Sequence, residues 1–490
     1  MARIELPLHV VRRAAVAVAV AVALVAGGLY GCDRYRDGQA RCADGVVERD
    51  GECVGVTDGA YTFAPHLADV TAKIREENAL VEKEKGDQPY VSVAYLTSFT
   101  LTDDDSNSED SVRHELEGAY LAQYRHNRGD LNATPKIRLL IANSGSRSAH
   151  WEHTVGELVA SAEGPQRLVA VTGLGPSTSE NVTALRTLSE AGLATVASTM
   201  TATSIRNIPG FVRAAPTNVD EARAAVAYLK REKRYGTAVV VQDAAKRNLY
   251  ASTLGAAFTE AYPDARHRLV RETRTFDSSV PDAWPNELRF IPGDLCEAKP
   301  RLVYFAGRGR HLTHFLDALA NRPCQEQKFT VMAGDDTTNL EPDELAAAAA
   351  SGVEMLYTGL AHTDMWQRDP SAVSGPSARH FRPGGLLDRW FPADPRYDGQ
   401  DIMAHDAVLT AAQGVRMASG WRSEVTGPAV GRMFQQMGGG QQVPGASGFL
   451  SFGADGNPKD KAVPIMKLTP TGRSELIDVS APAGRPAGER

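Results

Sequence analysis

The feature that most restricts the fold of this 490-residue chain is the alternation of short apolar runs with longer amphipathic stretches. Each apolar run is followed by a helical pattern, and such alternation is typical of βαβ units. The runs of a first block lie at 91–96, 137–142, 168–172 and 193–197, and those of a second at 238–242, 302–306 and 330–333. The sequence therefore predicts an α/β body of two parallel-sheet lobes, which bind ligands at the carboxyl ends of their strands.

The N-terminus has the pattern of a secreted lipoprotein. An apolar run over residues 14–29 follows Arg12 and Arg13, and at ~1.5 Å per helical residue it is shorter than the ~30 Å hydrocarbon core of a bilayer. Residues 1–31 are therefore predicted to be a signal peptide, with a permanent membrane helix as the alternative. Residues 29–32 (LYGC) resemble a bacterial lipobox, with Tyr30 as a departure. This predicts lipidation of Cys32 and anchoring to the outer face of the bacterial cytoplasmic membrane.

The other four cysteines fit the same oxidising compartment. Local pairing would join Cys42 with Cys53 and Cys296 with Cys324. Four free buried thiols are the alternative, and the spacings match no zinc pattern.

Several segments of the body carry short motifs in a characteristic order: 171–179 (VTGLGPSTS), 193–204 (LATVASTMTATS), 211–216 (FVRAAP), 445–452 (GASGFLSF) and 455–458 (DGNP). Together they resemble the type I periplasmic binding proteins, in particular the leucine/isoleucine/valine-binding receptors of ABC importers. The resemblance covers residues 90 to about 477 and implies two Rossmann-like lobes with a three-crossover hinge and a ligand cleft between them. Lobe 1 would be 89–214 plus 357–443, and lobe 2 would be 215–356 plus 444–478.

The segments outside the lobes are predicted from composition and periodicity. Residues 32–66 are predicted to form a small Cys-containing tether, and residues 67–88 an amphipathic helix and linker. Residues 479–490 are predicted to be a disordered tail. The acidic run 103–110 has part of a calcium-loop spacing but lacks the Gly and the distal Glu, which favours a solvated loop near the cleft mouth over a metal site.

Hydroxyl groups follow two predicted strands of the first lobe. Ser177, Thr178 and Ser179 stand at a strand end and a helix start, where hydroxyl and free N–H groups suit a carboxylate. Ordinary helix capping is the alternative. The resemblance places the family's ligand turn on a second hydroxyl-rich segment, at Thr201 or Thr203, with the register left open.

Three residues of the second lobe are candidates through the resemblance. Tyr250 is similar to a tyrosine that covers the ligand in the family, and Asp336 aligns with the acidic residue that receives a ligand ammonium. Capping of a turn or helix is the alternative for Asp336. Arg308 stands where relatives carry an aromatic wall, and a guanidinium favours an anionic or polar ligand group over an aliphatic one.

The function implied by the resemblance is that of a substrate-binding lipoprotein of an ABC importer, which captures an amino acid or a similar small polar solute and then engages permease subunits. A sensor of the same fold, signalling to a membrane partner without transport, is the alternative. The sequence offers no nucleophile with a base and no ligand cluster, so we expect neither catalysis nor a cofactor or metal. A formal charge of −7 without a basic excess argues against nucleic acid as a partner.

Overall fold

The computed structural model describes residues 41–84, 90–339, 350–367, 369–392, 396–420, 424–469 and 473–479. The predicted signal peptide, Cys32 and residues 480–490 of the predicted tail lie outside these ranges. Within the described residues, no helix has both the length and the apolar character needed to cross a membrane.

The first lobe is built on an eight-stranded sheet in the order β1-β2-β3-β5-β4-β6-β7-β8. Its strands are β1 (Arg41–Ala43), β2 (Val46–Arg49), β3 (Glu52–Thr57), β4 (Val91–Thr97), β5 (Ile137–Asn143), β6 (Leu168–Gly173), β7 (Ala194–Ala197) and β8 (Phe211–Arg213). The strands β4 to β8 pair in parallel, as the alternating sequence pattern predicts.

The second lobe is built on a second eight-stranded sheet in the order β10-β9-β12-β13-β14-β17-β18, with β11 also paired to β9. The remaining strands are β9 (Thr237–Asp243), β10 (Arg268–Leu269), β11 (Arg274–Phe276), β12 (Leu302–Ala306), β13 (Phe329–Ala333), β14 (Val353–Thr358), β15 (Val443–Pro444), β16 (Phe449–Leu450), β17 (Pro464–Leu468) and β18 (Ser474–Val479). Strands β9 to β14 pair in parallel, whereas β17 pairs antiparallel with both β14 and β18, and β15 and β16 form a separate hairpin.

The helices pack on both faces of the two sheets. They are α1 (Ala68–Lys83), α2 (Glu109–Asn127), α3 (Trp151–Glu163), α4 (Ser179–Glu190), α5 (Asn218–Arg231), α6 (Leu249–Ala261), α7 (Trp284–Ala298), α8 (Gly309–Ala320), α9 (Gly375–Ala378), α10 (Leu386–Trp390), α11 (Gln400–Ser419) and α12 (Gly427–Phe434). The helices α5 to α8 belong to the second lobe, whereas α11 and α12 return to the first and pack on its sheet.

Helices cover both faces of each sheet, and successive side chains of a strand point to opposite faces, so both sets of side chains are buried. In β4, Val93 joins one hydrophobic cluster and Ala94 joins another on the opposite face. In β9, Val239 and Val240 divide in the same way. Strands covered on both faces have unbroken apolar sequences, which explains why the predicted runs agree closely with the observed strands.

The chain passes between the lobes three times: after β8, after β14 and after the β15–β16 hairpin. The first passage leads directly into α5, which begins with a capping box in which Thr217 and Asp220 bind each other's backbone N–H groups. These passages place the carboxyl ends of both parallel sheets opposite each other.

The segment predicted as a tether takes a different form over its described residues. Strands β1 to β3 extend the first sheet in antiparallel pairing, and Gly55 of β3 pairs with Asn143 of β5. The cysteines pair as local pairing predicts, with Cys42 bonded to Cys53 and Cys296 bonded to Cys324. The first disulfide therefore fastens an edge of the lobe itself.

Candidate ligand-binding cleft

A cavity of about 310 Å³ lies between the two lobes. Its first-lobe wall comes from residues 98, 104–107, 147, 176, 178, 180 and 181, and its second-lobe wall from residues 247, 248, 278, 279, 281, 284, 308, 310 and 311. Most of these residues follow the carboxyl ends of parallel strands or lie at the N-terminal ends of α4, α6, α7 and α8. Cavities of this kind, of ~300 to 1,000 Å³, hold small molecules in many proteins.

The connection from β6 to the start of α4 contains three hydroxyl residues with different contacts: Ser177, Thr178 and Ser179. The Ser177 side chain is buried, and its Oγ accepts the N–H groups of Thr201 and Ala202 at 3.0 and 3.1 Å. Thr178 caps α4 and lines the cavity. The Ser179 N–H donates across the cleft to the carbonyl of Arg247 at 3.2 Å. Helix capping, the alternative, is therefore the role of Thr178. Ser177 binds backbone of its own lobe, and Ser179 binds backbone of the opposite lobe.

Thr201 and Thr203 lie on the turn after β7, behind the cavity wall. Thr201 is buried, and its Oγ1 has no hydrogen-bond partner among the described residues. Its carbonyl accepts the N–H of Asn218 at 2.8 Å, while the Thr203 Oγ1 accepts that of Val219 at 3.3 Å. Both threonines thus secure the start of α5 where the chain enters the second lobe.

Arg308, Tyr250 and Asp336 lie against one another in the second lobe. The Arg308 guanidinium forms an ion pair with Asp336 at 3.2 Å and lies over the Tyr250 ring, 4.8 Å from its centre. It also donates across the cleft to the carbonyl of Ser177 at 3.1 Å. Of all the predicted ligand residues, only Thr178 and Arg308 belong to the cavity wall.

Two glycines make this arrangement possible. A Cβ on Gly309 would lie 2.7 Å from the carbonyl oxygen of Asp336, and a Cβ on Gly334 would lie 2.2 Å from the Tyr250 hydroxyl. Because no side chain intervenes, the Gly309 N–H reaches the Asp336 carboxylate at 2.5 Å. Gly309 therefore allows close packing of α8 against the turn after β13, and Gly334 allows close packing of Tyr250 of α6 against the same turn.

A pair of buried carboxyl groups lies behind the cleft wall. Glu221 accepts the backbone N–H of Asp335 at 3.3 Å and the hydroxyl of Thr358 at 2.7 Å. Burial raises the pKa of both Glu221 and Asp335, and each negative neighbour raises it further: Asp335 for Glu221, and Asp336 for Asp335. This region therefore favours protonated carboxyl groups.

Several cleft residues were not among the predicted ligand residues. They are Asp104, Arg147, Arg247, Trp284, Arg310 and His311. Asp104 belongs to the acidic run predicted as a solvated loop; its carboxylate lies 3.0 Å from Arg310 of the other lobe and 3.4 Å from Arg147 of its own. Burial lowers the pKa of His311 and so favours its neutral form. The position of Arg310 two residues after Arg308, at the same helix start, is the signal that could have identified it.

No protein-family model matches this sequence, and no curated protein matches it. Solved structures do match its fold. A leucine-binding protein from Thermotoga maritima is 14% identical with a TM-score of 0.61, and the match covers 79% of this chain and 98% of that one. An ABC transporter substrate-binding protein from Desulfitobacterium hafniense, solved with Leu, is 18% identical with a TM-score of 0.58, covering 79% and 99%.

A third match has a ligand of another class. It is a solute-binding protein of an ABC transporter from Rhodopseudomonas palustris, solved with 3,4-dihydroxybenzoic acid. It is 13% identical with a TM-score of 0.56, and the match covers 80% of this chain and 97% of that one. At such low identity these likenesses concern the fold and leave the ligand open. The chain therefore has the two-lobe α/β fold of the type I periplasmic binding proteins.

Proposed function

We propose that this protein is an extracytoplasmic receptor that captures a small polar solute between its lobes and delivers it to an ABC importer. The observation that carries the proposal is the cavity between the lobes, because it takes polar residues from both walls. A solute that contacts both walls binds the closed arrangement more tightly than the open one, and this difference drives closure.

The polar groups of the wall suit recognition of a small solute. Thr178 and Asn248 face each other across the cleft in an isolated backbone bridge, so the cavity has a floor shared by both lobes. The indole of Trp284 offers an apolar surface beside the arginines. A few directional polar groups beside an aromatic surface are typical of sites for small molecules.

Delivery to a membrane partner is the part of the proposal that rests on the N-terminus. A lipid on Cys32 would hold the receptor at the outer face of the cytoplasmic membrane, where permease subunits accept the closed form. Metabolic labelling with a fatty acid should then mark the wild type but not Cys32→Ser. Equal labelling of this variant and the wild type, or no labelling of either, would contradict the anchor.

Thermal unfolding of the full chain with single solutes tests the proposed capture. The panel contains amino acids, amides, polyols, monocarboxylates and dicarboxylates. A solute at ~100 times its dissociation constant stabilises the folded protein by about 2.7 kcal/mol, which raises the midpoint by a few degrees. The proposal predicts such a rise for at least one member, and no rise with any member would contradict it.

A further inference from the structure

The carboxylate of Asp336 is already occupied within the protein. Its Oδ1 binds the Arg308 guanidinium at 3.2 Å, and its Oδ2 accepts the Gly309 N–H at 2.5 Å. The side chain of Asp336 is 7% exposed and that of Arg308 is 11% exposed. A solute ammonium that approached Asp336 would therefore have to displace a buried ion pair, which costs several kcal/mol.

Arg308 is fixed on its other sides as well. The Tyr250 ring covers one face of the guanidinium, and the carbonyl of Ser177 accepts one of its N–H groups from the opposite lobe. The Ser177 hydroxyl in turn accepts two backbone N–H groups of its own lobe. The side chain of Arg308 thus supplies the positive charge beside Asp336 that an amino acid would otherwise bring.

The space left open beside this ion pair is rich in hydrogen-bond donors. Arg147, Arg247, Arg308 and Arg310 all line the cavity. The guanidinium of Arg247 has no hydrogen-bond or ion-pair partner among the residues that the structure describes. Each guanidinium has more N–H donors than the described contacts use. A guanidinium cannot accept a hydrogen bond, so these groups require an acceptor on the solute.

The carboxylates of the same wall are already engaged. Asp104 lies between Arg147 and Arg310. Asp105 accepts the N–H of Arg147 at 2.8 Å and the Ser146 hydroxyl at 2.6 Å. Glu180, in the first turn of α4, accepts the Ser179 hydroxyl at 2.9 Å. Each of these carboxylates therefore has a described partner, whereas the Arg247 guanidinium has none.

The helices reinforce this asymmetry. The N-terminal ends of α4, α6, α7 and α8 all contribute residues to the cavity wall. The aligned peptide dipoles give each helix N-terminus a partial positive charge, which favours an anion.

We infer that the cleft selects a small carboxylic acid that lacks an ammonium group, and that Arg247, Arg308 and Arg310 bind its carboxylate. The inference rests on the proposed function, because it names the class of solute that the receptor captures. Arginine pairs with carboxylates through parallel hydrogen bonds, which gives direction as well as affinity. The buried Arg308–Asp336 pair then excludes amino acids by occupying the place of their ammonium.

Two matched pairs of solutes test this selectivity by titration calorimetry on the full chain. Succinate is L-aspartate without its ammonium, and 4-methylpentanoate is L-leucine without its ammonium. We expect at least one acid to bind, and to bind at least tenfold more tightly than its amino-acid partner. An amino acid that binds as tightly as its acid, or more tightly, would overturn the inference while leaving the proposed receptor intact.

Absence of binding by both acids is also informative. Together with a thermal shift caused only by amino acids, amides or polyols of the wider panel, it would overturn the acid selectivity alone. Together with no shift by any solute, it would contradict the proposed function as well.

Variants test the assignment of the arginines. Arg247→Ala removes an exposed side chain with no described partner, so we expect the same unfolding midpoint and an affinity for the bound acid at least tenfold lower. Arg289→Ala, an exposed arginine of α7 outside the cavity, is the matched control and should bind as the wild type does. Unchanged acid affinity in both Arg247→Ala and Arg310→Ala would refute the assignment.

Discussion

Replacing Asp336 with Asn separates the two roles that this residue could have. If Asp336 is the partner of Arg308, the substitution leaves a buried guanidinium without its counter-charge even when no solute is present. Removing one partner of a buried ion pair costs about 3 to 5 kcal/mol. The ion pair borders the cavity, and the hydrogen bond from the Arg308 guanidinium to the Ser177 carbonyl would remain in the variant. We therefore expect a loss at the lower end, about 3 kcal/mol of the free energy of unfolding.

Urea unfolding of the solute-free protein, followed by tryptophan fluorescence, measures this loss. Trp284 is buried in the second lobe beside Arg310 and reports on that lobe. Asp282→Asn, an exposed substitution just before α7, is the matched control and should change the stability by less than about 0.5 kcal/mol. A similarly small change in Asp336→Asn would refute the reasoning, because Asp336 would then be free to receive a ligand ammonium.

Three further predictions concern the disulfides, a buried carboxyl group and the cleft mouth. Replacing Cys296 and Cys324 with Ser opens a loop with a sequence separation of 28, and we expect about 3.5 kcal/mol less stability in urea; a loss below about 1 kcal/mol would contradict this. Because the pKa of Asp335 is raised in the folded state, its contribution to stability is present below the unfolded pKa of about 4 and is lost as the pH rises through the folded value. Asp335→Asn should therefore gain stability relative to wild type as the pH rises above about 4, and a difference independent of pH would exclude this role. Asp104→Ala removes the carboxylate that joins Arg310 of one lobe to Arg147 of the other. Stopped-flow measurements should therefore show faster solute release, while the stability changes by less than about 1 kcal/mol. An unchanged release rate would contradict a role of this contact in holding the two lobes together.

The parallel strands and most helices could be predicted from the sequence because their signals are local. The apolar run predicted at 302–306 is β12, and the helix predicted from residue 67 is α1 (Ala68–Lys83). Strands β1 to β3 could not be placed in the same way. Their position depends on pairing with β5, which lies more than eighty residues away along the chain.

The candidate site was also predictable only where local signals determine it. The carboxyl ends of neighbouring parallel strands meet at one edge, which is why Tyr250, Arg308 and Asp336 could be expected together. The partner that Arg308 takes could not be read from the sequence, because a solute and Asp336 satisfy a guanidinium equally well. The approach of Asp104 to Arg310 depends on the angle between two lobes, and no local pattern encodes that angle.

Hydrogen exchange of the full chain, with and without the solute that raises the unfolding midpoint most, tests the central claim most directly. The claim is that one solute lies between two lobes. The segments 176–181 and 308–311 line opposite walls of the cavity, so a bound solute should slow exchange in both at once. Slower exchange in one segment alone, or in neither, would contradict capture between the lobes.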